Sequence, residues 1–123
     1  MTTDPTPLRV GIVGTSWWAD SMYLPAFAAH PGASVVGLCG RTAATAEALA
    51  ATWDVPWFSV DSDDFLDPER LDAVVVATGT DSHEELTMTA LDRGLHVLCE
   101  KPLAPDVAAA DRMARRAAET GAI

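Results

Sequence analysis

The sequence is poor in basic side chains and contains no long apolar run. Its 123 residues include 18 acidic and 8 basic residues, a formal net charge of -10. A field of that sign repels a phosphate backbone, so the composition argues against a nucleic-acid partner. No apolar stretch approaches the roughly 18 residues that a membrane span needs, and the amino terminus lacks the basic and apolar regions of a secretion signal. We therefore expect a cytoplasmic protein without a membrane partner.

Apolar runs alternate with helical stretches along the chain. Strands are predicted over 8–13, 33–39, 71–77 and 95–99, with a weaker one at 57–58; helices are predicted over 42–53, 81–93 and 105–120, with a short one in the acidic stretch 61–64. The continuous apolar run 74–76 is typical of a strand covered on both faces. This α/β alternation, with right-handed crossovers, predicts a doubly wound, mostly parallel Rossmann sheet with helices on both faces and strand order 3-2-1-4-5.

The chain reads as one domain without internal repeats or a low-complexity linker. We place a flexible, proline-rich tip at 1–7 and the domain at 8–123. Gly94 and Gly121 follow predicted helices at the position of C-terminal caps.

Cysteine is scarce, and its placement argues against both a disulfide and a metal site. Cys39 and Cys99 end separate apolar runs, and neither belongs to a CxxC motif or a His/Cys cluster. In the predicted strand order they are about 14 Å apart, which is too far for a disulfide. We expect buried structural thiols in a reducing compartment and no bound metal.

The end of the first strand is a candidate phosphate-binding turn. It occupies the place of a G-x-G-x-x-G motif but keeps only the first glycine. That glycine permits a tight turn, and amides at the start of the following helix can face a pyrophosphate. A plain strand-to-helix turn is the alternative. The candidate residues are Gly14, Thr15, Ser16, Trp17 and Trp18.

Two features of this segment affect the helix that follows the turn. A helix that begins near Trp17 should kink at Pro25, whereas one that begins only near Tyr23 places its dipole too far from the turn. Trp17 and Trp18 are adjacent and cannot share one helix face. We expect one of them to pack in the core and the other to be exposed or to lie over a ligand.

The second predicted strand ends at Arg41, where a domain specific for NAD would carry an acidic residue. The chain contains no Asp or Glu between Asp20 and Glu47. Arg41 can pair with a ribose 2′-phosphate, which favours NADP. An arginine merely exposed at a helix start is the alternative.

The fourth predicted strand leads to a helix start that contains a histidine. Asp81 with Glu84, or Ser82 with Glu85, would form a capping box. His83 lies at the carboxyl end of the sheet, where such folds bind ligands, and an exposed histidine is an equal alternative.

The fifth predicted strand ends at Glu100-Lys101-Pro102, and Lys101 is the only lysine in the chain. A lysine at this end of a strand can hydrogen-bond a nicotinamide ribose or a reacting hydroxyl. A surface lysine paired with Glu100 is the alternative.

Together these segments resemble the N-terminal NAD(P)-binding Rossmann domain of the Gfo/Idh/MocA oxidoreductase family. The resemblance rests on V-G-I-V-G at 10–14, C-G-R at 39–41, L-D-A-V-V-V-A-T at 71–78, the T-x-x-x-x-H spacing that follows, and G-L-H-V-L-C-E-K-P-L at 94–103. It implies that Lys101 is catalytic, contacting the nicotinamide ribose and the substrate. The expected cofactor-binding residues are Gly14, Thr15, Ser16, Trp17, Trp18, Arg41, Thr78, His83, Glu100 and Lys101.

The chain also departs from the family pattern. Ser16 replaces a second glycine, and Gly79 replaces a proline. The family's C-terminal substrate domain, with its D-x-x-x-H pair, is absent from this chain; Asp92 and His96 have that spacing by chance, at the opposite end of the sheet.

The resemblance implies the nucleotide-binding part of an oxidoreductase. Such an enzyme transfers hydride between NADP(H), which is preferred, or NAD(H) and a hydroxyl or carbonyl of a polyhydroxylated, sugar- or cyclitol-like substrate. This chain alone is not expected to turn over. The alternative is a non-catalytic dinucleotide-binding module, and an open sheet edge makes a homo-oligomer possible.

Overall fold

Five parallel strands form the centre of the molecule. The computed structural model describes residues 4–123. The strands are β1 Leu8–Val13, β2 Ala33–Cys39, β3 Trp57–Ser59, β4 Ala73–Val76 and β5 His96–Cys99. Their order, β3-β2-β1-β4-β5, confirms the predicted order and the parallel Rossmann sheet. Residues 1–3 of the predicted tip lie outside the described part, and residues 4–7 contain neither helix nor strand.

The helices cover both faces of the sheet, as predicted. They are a π-turn at Ala19–Tyr23 that continues into α1 Leu24–Ala28, α2 Ala43–Thr52, α3 Ser62–Phe65, a 3₁₀ turn at Thr80–Ser82 before α4 His83–Asp92, and α5 Val107–Thr120. Within residues 4–123, no helix has the length and apolar character needed to cross a membrane.

Alternate residues of the strands face two separate cores. Ile12 and Val75 pack with Leu24 of α1 and Ala50 of α2 on one face. On the other face, Val74 and Val76 belong to a cluster that also contains Phe65, Leu66 and Ala90. The sheet is thus buried on both sides, as its continuous apolar strands require.

The helix ends confirm the predicted glycine caps but not the predicted capping box. Gly94 and Gly121 have φ of 83° and 74°, the left-handed conformation of a helix C-terminus. The capping box is wrong, because residues 80–82 already form a 3₁₀ turn and no side chain caps α4. The hydroxyl of Ser82 instead donates to the Gly79 carbonyl at 2.8 Å and lies 2.6 Å from that of Thr78.

Both cysteines are free thiols. Cys39 is buried, and burial raises the pKa of its thiol to about 11. Cys99 is only partly buried, and burial raises its pKa as well. Two protonated thiols at neutral pH fit the structural role expected of them.

Candidate functional site

The carboxyl ends of neighbouring strands bring the predicted site residues to one edge of the sheet. The Gly14 amide, just after β1, donates to the Cys39 carbonyl at the end of β2, at 2.8 Å. The Glu100 amide, just after β5, donates to the Val76 carbonyl at the end of β4, at 2.9 Å. The loops after β1, β2, β4 and β5 therefore begin side by side, and we call this edge the carboxyl rim. Ligands of doubly wound folds bind at this edge.

The turn after β1 requires a glycine at position 14. Gly14 has φ of 121°, a conformation that side-chain-bearing residues rarely adopt. A Cβ atom there would also lie 2.2 Å from the Ala77 carbonyl oxygen. The tight turn predicted from the sequence is therefore present, packed against the end of β4. Thr15 is half-buried beside it, and Ser16 is exposed at its outer side.

The helix that follows begins at Trp17, close to the turn. Pro25 does not break it: the backbone is helical at Trp18, Tyr23 and Leu24. The helix widens into a π-turn just before the proline, with the Leu24 amide donating to the Ala19 carbonyl. Because π-turns are a usual cause of bends in helices, the predicted kink stays a prediction. Pro25 then stands in the first turn of α1, where its missing N–H costs little.

Neither tryptophan packs in the core, so the expectation that one would is wrong. Trp17 is 71% exposed and Trp18 is 38% exposed. Their ring centroids are 5.9 Å apart with the planes tilted by 48°. The reason is that both residues lie in the first helical turn, at the carboxyl rim, and so their side chains are not packed between the helix and the sheet. Trp17 also lines an open groove of about 580 Å³ between the turn and α2.

The Glu100 carboxylate is the most heavily hydrogen-bonded group at the rim. One oxygen accepts from the Trp18 indole Nε1 and from the Tyr23 hydroxyl, the latter at 2.8 Å. The other accepts from the Lys101 backbone amide, also at 2.8 Å. These hydrogen bonds, that from Lys101 foremost, hold the pKa of Glu100 below its usual range. Burial and the carboxylate together raise the pKa of Tyr23 to about 12, so its hydroxyl stays protonated.

Two cations at the rim lack a carboxylate partner in the described part of the chain. Lys101 is exposed and forms no ion pair within residues 4–123, so the alternative of a direct Lys101–Glu100 ion pair is wrong, although the charge of Lys101 helps to lower the pKa of Glu100. Arg41 is exposed after β2. The remaining basic residues are engaged elsewhere: Arg9, Arg93, Arg112, Arg115 and Arg116 in ion pairs, and Arg70 over the ring of Trp57.

His83 lies behind the rim and joins two of its loops. The side chain is 1% exposed, so the alternative of a surface histidine is wrong. Its Nδ1 is 2.9 Å from the Pro102 carbonyl oxygen, and its Nε2 is 3.1 Å from that of Thr78. Both ring nitrogens face backbone carbonyl oxygens, and a neutral imidazole can donate to only one of them. His83 thus lies between the β4–α4 loop and the β5–α5 loop, and its predicted contact with a cofactor stays a prediction.

Sequence reasoning missed Tyr23 altogether. It is the only tyrosine in the chain, and it lies five residues after Trp18. That spacing carries no signal in an α-helix, where residues i and i+5 lie about 140° apart around the axis. The π-turn closes an i to i+5 hydrogen bond and so brings such residues to one face. Tyr23 and Glu100 are 77 positions apart, and no local pattern links them.

Comparisons with known proteins agree with this arrangement. The model of the Gfo/Idh/MocA family, described as an oxidoreductase family with an NAD-binding Rossmann fold, matches residues 8–123. The chain is 41% identical to inositol 2-dehydrogenase of Leifsonia xyli subsp. xyli, over 92% of this chain and 33% of that protein. It is 30% identical to D-glucoside 3-dehydrogenase of Escherichia coli K12, over 96% and 34%.

A solved structure shows the same fold with a cofactor bound. The chain superposes on a 3-ketoreductase from Actinomadura kijaniata in complex with NADP, with a TM-score of 0.90 and 31% identity, over 96% of this chain and 37% of that one. The chain thus spans about a third of the length of its relatives. The parallel sheet has the carboxyl rim of a dinucleotide-binding fold, and the family model matches nearly the whole chain. The chain therefore belongs to the Gfo/Idh/MocA oxidoreductase family and is an NAD(P)-binding Rossmann domain of that family.

Proposed function

We propose that this domain serves an enzyme that transfers hydride between NADP(H) or NAD(H) and a hydroxyl or carbonyl carbon of a polyhydroxylated substrate, with NADP preferred. The observation that carries the proposal is the pair of unpartnered cations at the carboxyl rim, Arg41 and Lys101, in a chain of net charge -10. An acidic protein that leaves its free positive charges at one ligand-binding edge is suited to an anionic ligand.

The turn after β1 would hold the pyrophosphate. Gly14 keeps the backbone of the turn close to β4, and the helix that starts at Trp17 directs its first amides and the positive end of its dipole toward the rim. Thr15, Ser16, Trp17 and Trp18 border this position. The exposed hydroxyl of Ser16 can donate to a phosphate oxygen, in place of the close approach that a second glycine would allow.

Arg41 would select the cofactor. It follows β2 at the position that faces the adenosine ribose in this fold, and no acidic residue lies between Asp20 and Glu47 to bind a ribose 2′-hydroxyl. A guanidinium can form a bidentate pair with a 2′-phosphate. These features support NADP over NAD.

Lys101 would act at the nicotinamide end. Its ammonium group can donate to the nicotinamide ribose and to the substrate oxygen that gains or loses a proton as hydride moves. The bound nicotinamide supplies or accepts the hydride. Thr78 borders the same position, while Glu100 and His83 hold the loops that carry it.

The substrate class rests on the relatives. They include an inositol dehydrogenase and a D-glucoside dehydrogenase, and the substrates that these names give, inositol and D-glucosides, each carry several hydroxyl groups.

We propose that the substrate-holding domain lies outside these 123 residues, so that the isolated chain binds cofactor without turnover. We also propose a cytoplasmic location and no nucleic-acid or membrane partner. β5 is an edge strand, and its edge is partly covered because the Val97 amide donates to the Ile123 carbonyl at 2.9 Å. The side chain of Leu98 on this strand is 50% exposed, and such an apolar side chain supports self-association of the isolated domain.

Titration with the two cofactors tests the core of this proposal. NADPH and NADH are added to the chain, and nicotinamide fluorescence reports binding; we expect NADPH to bind more tightly. Arg41→Ala should weaken NADPH binding roughly tenfold or more, because a charge-assisted hydrogen bond contributes about 1.5 to 3 kcal/mol, and should leave NADH binding nearly unchanged.

Arg115→Ala is the matched control, since it removes the same charge from an exposed site on α5. It should keep the preference for NADPH. Equal affinity for both cofactors before and after the Arg41 substitution would remove Arg41 from the site. Failure of both cofactors to bind would overturn the proposed function itself.

A further inference from the structure

Trp18, Tyr23 and Glu100 form a hydrogen-bonded cluster that spans the two ends of the proposed cofactor site. Trp18 follows the pyrophosphate turn, whereas Glu100 precedes the lysine at the nicotinamide end. The two are 82 positions apart in the chain, yet the Trp18 indole donates to the Glu100 carboxylate. The hydroxyl of Tyr23, a residue outside the predicted cofactor-binding set, donates to the same oxygen at 2.8 Å.

The π-turn makes this convergence possible. It places residue 23 on the same face as residue 18, toward the end of β5, which an uninterrupted α-helix would not do. π-turns within helices occur frequently at functional sites. The widening before Pro25 thus has a consequence beyond accommodating the proline: it directs two donors to one carboxylate.

The charge and protonation states of Glu100 and Tyr23 suit the cluster to fixing the conformation of the rim and not to transferring protons. Three donors surround Glu100 and favour its ionised form, while Tyr23 keeps its proton well above neutral pH. Neither group therefore changes its protonation state in the range where a dehydrogenase works. Three of the roughly four hydrogen bonds that a carboxylate can accept come from within the protein, so most of the hydrogen-bonding capacity of Glu100 serves the rim itself.

The carboxylate also fixes the backbone of Lys101, through the 2.8 Å bond from the Lys101 amide. We propose that Trp18 and Tyr23 are positioning residues that act through Glu100 to hold Lys101 in place for the nicotinamide half of the cofactor. This inference rests on the proposed function, because it needs a nicotinamide at that end of the rim. Holding the loop in its binding conformation lowers the cost of ordering it on binding.

A pair of ligands separates this role from a general structural one. NADPH and 2′-phospho-ADP share the adenosine and its three phosphates, but only NADPH has the nicotinamide and the ribose that carries it. We expect Tyr23→Phe, which removes a single oxygen atom, to weaken NADPH binding about threefold to tenfold and to leave the affinity for 2′-phospho-ADP unchanged. Isothermal titration calorimetry measures both affinities on the 123-residue chain.

Trp53→Phe is the matched control. The Trp53 indole donates to Asp20 at 2.7 Å, a comparable bond to the same helical segment but on the side toward α2. This control should leave the ratio of the two affinities at its original value. If circular dichroism shows that Tyr23→Phe does not fold, Glu100→Gln, of equal volume, carries the same expectation.

The outcomes are distinguishable. An equal loss for both ligands, or no loss for either, overturns the positioning role while leaving the proposed function intact. If the unaltered chain binds 2′-phospho-ADP and NADPH with the same affinity, the nicotinamide and its ribose make no contact that Lys101 could provide, and the positioning role also fails. If the unaltered chain binds neither ligand, it is the proposed function that fails.

Discussion

Gly79 and Gly94 flank helix α4 and illustrate how a single backbone angle decides the effect of a substitution. Gly79 has φ of -67° and ψ of 148°, and a Cβ atom added to it would meet no atom within 4 Å. Gly94 has equally open space around it, but its φ is 83°. Only the first of these conformations is accessible to proline.

Gly79→Pro is therefore expected to stabilise the domain. Proline restricts the unfolded chain at a position where the folded backbone already has the required φ, which contributes about 0.4 to 1 kcal/mol. Urea denaturation followed by circular dichroism measures the change. Gly94→Ala is the comparison: it forces a left-handed conformation on a residue with a side chain and should lower the free energy of unfolding by about 1 kcal/mol. A loss of stability in Gly79→Pro would contradict this account of the loop.

Single residues with a local signature were predictable, and those defined by distant partners were not. Gly14 and Lys101 stand at the ends of apolar runs, so the fold class alone places them at the rim. The burial of His83 depends on the carbonyl of Pro102, 19 positions away. The hydrogen bond of the Trp18 indole depends on Glu100, 82 positions away. Neither relation leaves a periodic or compositional trace.

At the scale of elements, α5 shows how one side chain defines a helix start. Asp106 is the N-cap, and its carboxylate accepts from the Ala109 amide at 2.8 Å. The helix packs on α4, buries Met113 and forms the Arg112–Glu84 ion pair with α4 at 2.6 Å. It also begins directly after the loop that carries Lys101.

Asp106→Ala should reduce the free energy of unfolding by about 1 kcal/mol, because it leaves an amide of the first turn without its acceptor. Thermal or urea denaturation measures this loss. Asp111→Ala provides the control within the same helix, since Asp111 is exposed and pairs only with Arg115; its effect should stay below about 0.5 kcal/mol. Equal effects of the two substitutions would show that the cap contributes nothing specific.

Element types were easier to predict than the details at their ends. The apolar runs and the alternation with helices are strong signals, and all five strands lie where the sequence places them. The start of α4 was not predictable, because a 3₁₀ turn took up the residues that a capping box would use. The π-turn was not predictable either, because it depends both on Pro25 and on the hydrogen bond between Tyr23 and the distant Glu100.

At the scale of the whole molecule, the Arg9–Asp72 pair closes the edge of the sheet opposite the rim. The Arg9 guanidinium donates to both oxygens of Asp72, at 2.8 and 3.1 Å, and the Arg9 amide donates to one of them. These bonds, led by the side-chain bond, lower the pKa of Asp72. The pair joins the starts of the neighbouring strands β1 and β4 and is therefore part of the global fold.

Acidification should consequently destabilise the protein in part through Asp72. A carboxyl whose pKa is lower in the folded state contributes its full stabilisation above its unfolded pKa of about 3.9 and loses it as pH falls through the lower folded value. Asp72→Asn should be less stable than the unaltered chain at pH 7, and the difference should shrink between about pH 5 and pH 3.

Urea denaturation across this pH range checks the expectation. Asp111→Asn removes one negative charge from an exposed helix position and corrects for the change in self-repulsion of an acidic chain. If the difference between Asp72→Asn and the unaltered chain stayed constant with pH, the Arg9 pair would not be linked to proton binding.

The central position of β1 has a consequence for biosynthesis. β1 leaves the ribosome before its partner β4, and the contact between Arg9 and Asp72 spans 63 positions. At about 5 to 20 residues per second, roughly 3 to 13 s separate the emergence of these two partners. During that interval the edge of the apolar strand β1 that pairs with β4 is exposed. We therefore expect ribosome-associated chaperones to bind nascent chains that are halted before residue 73.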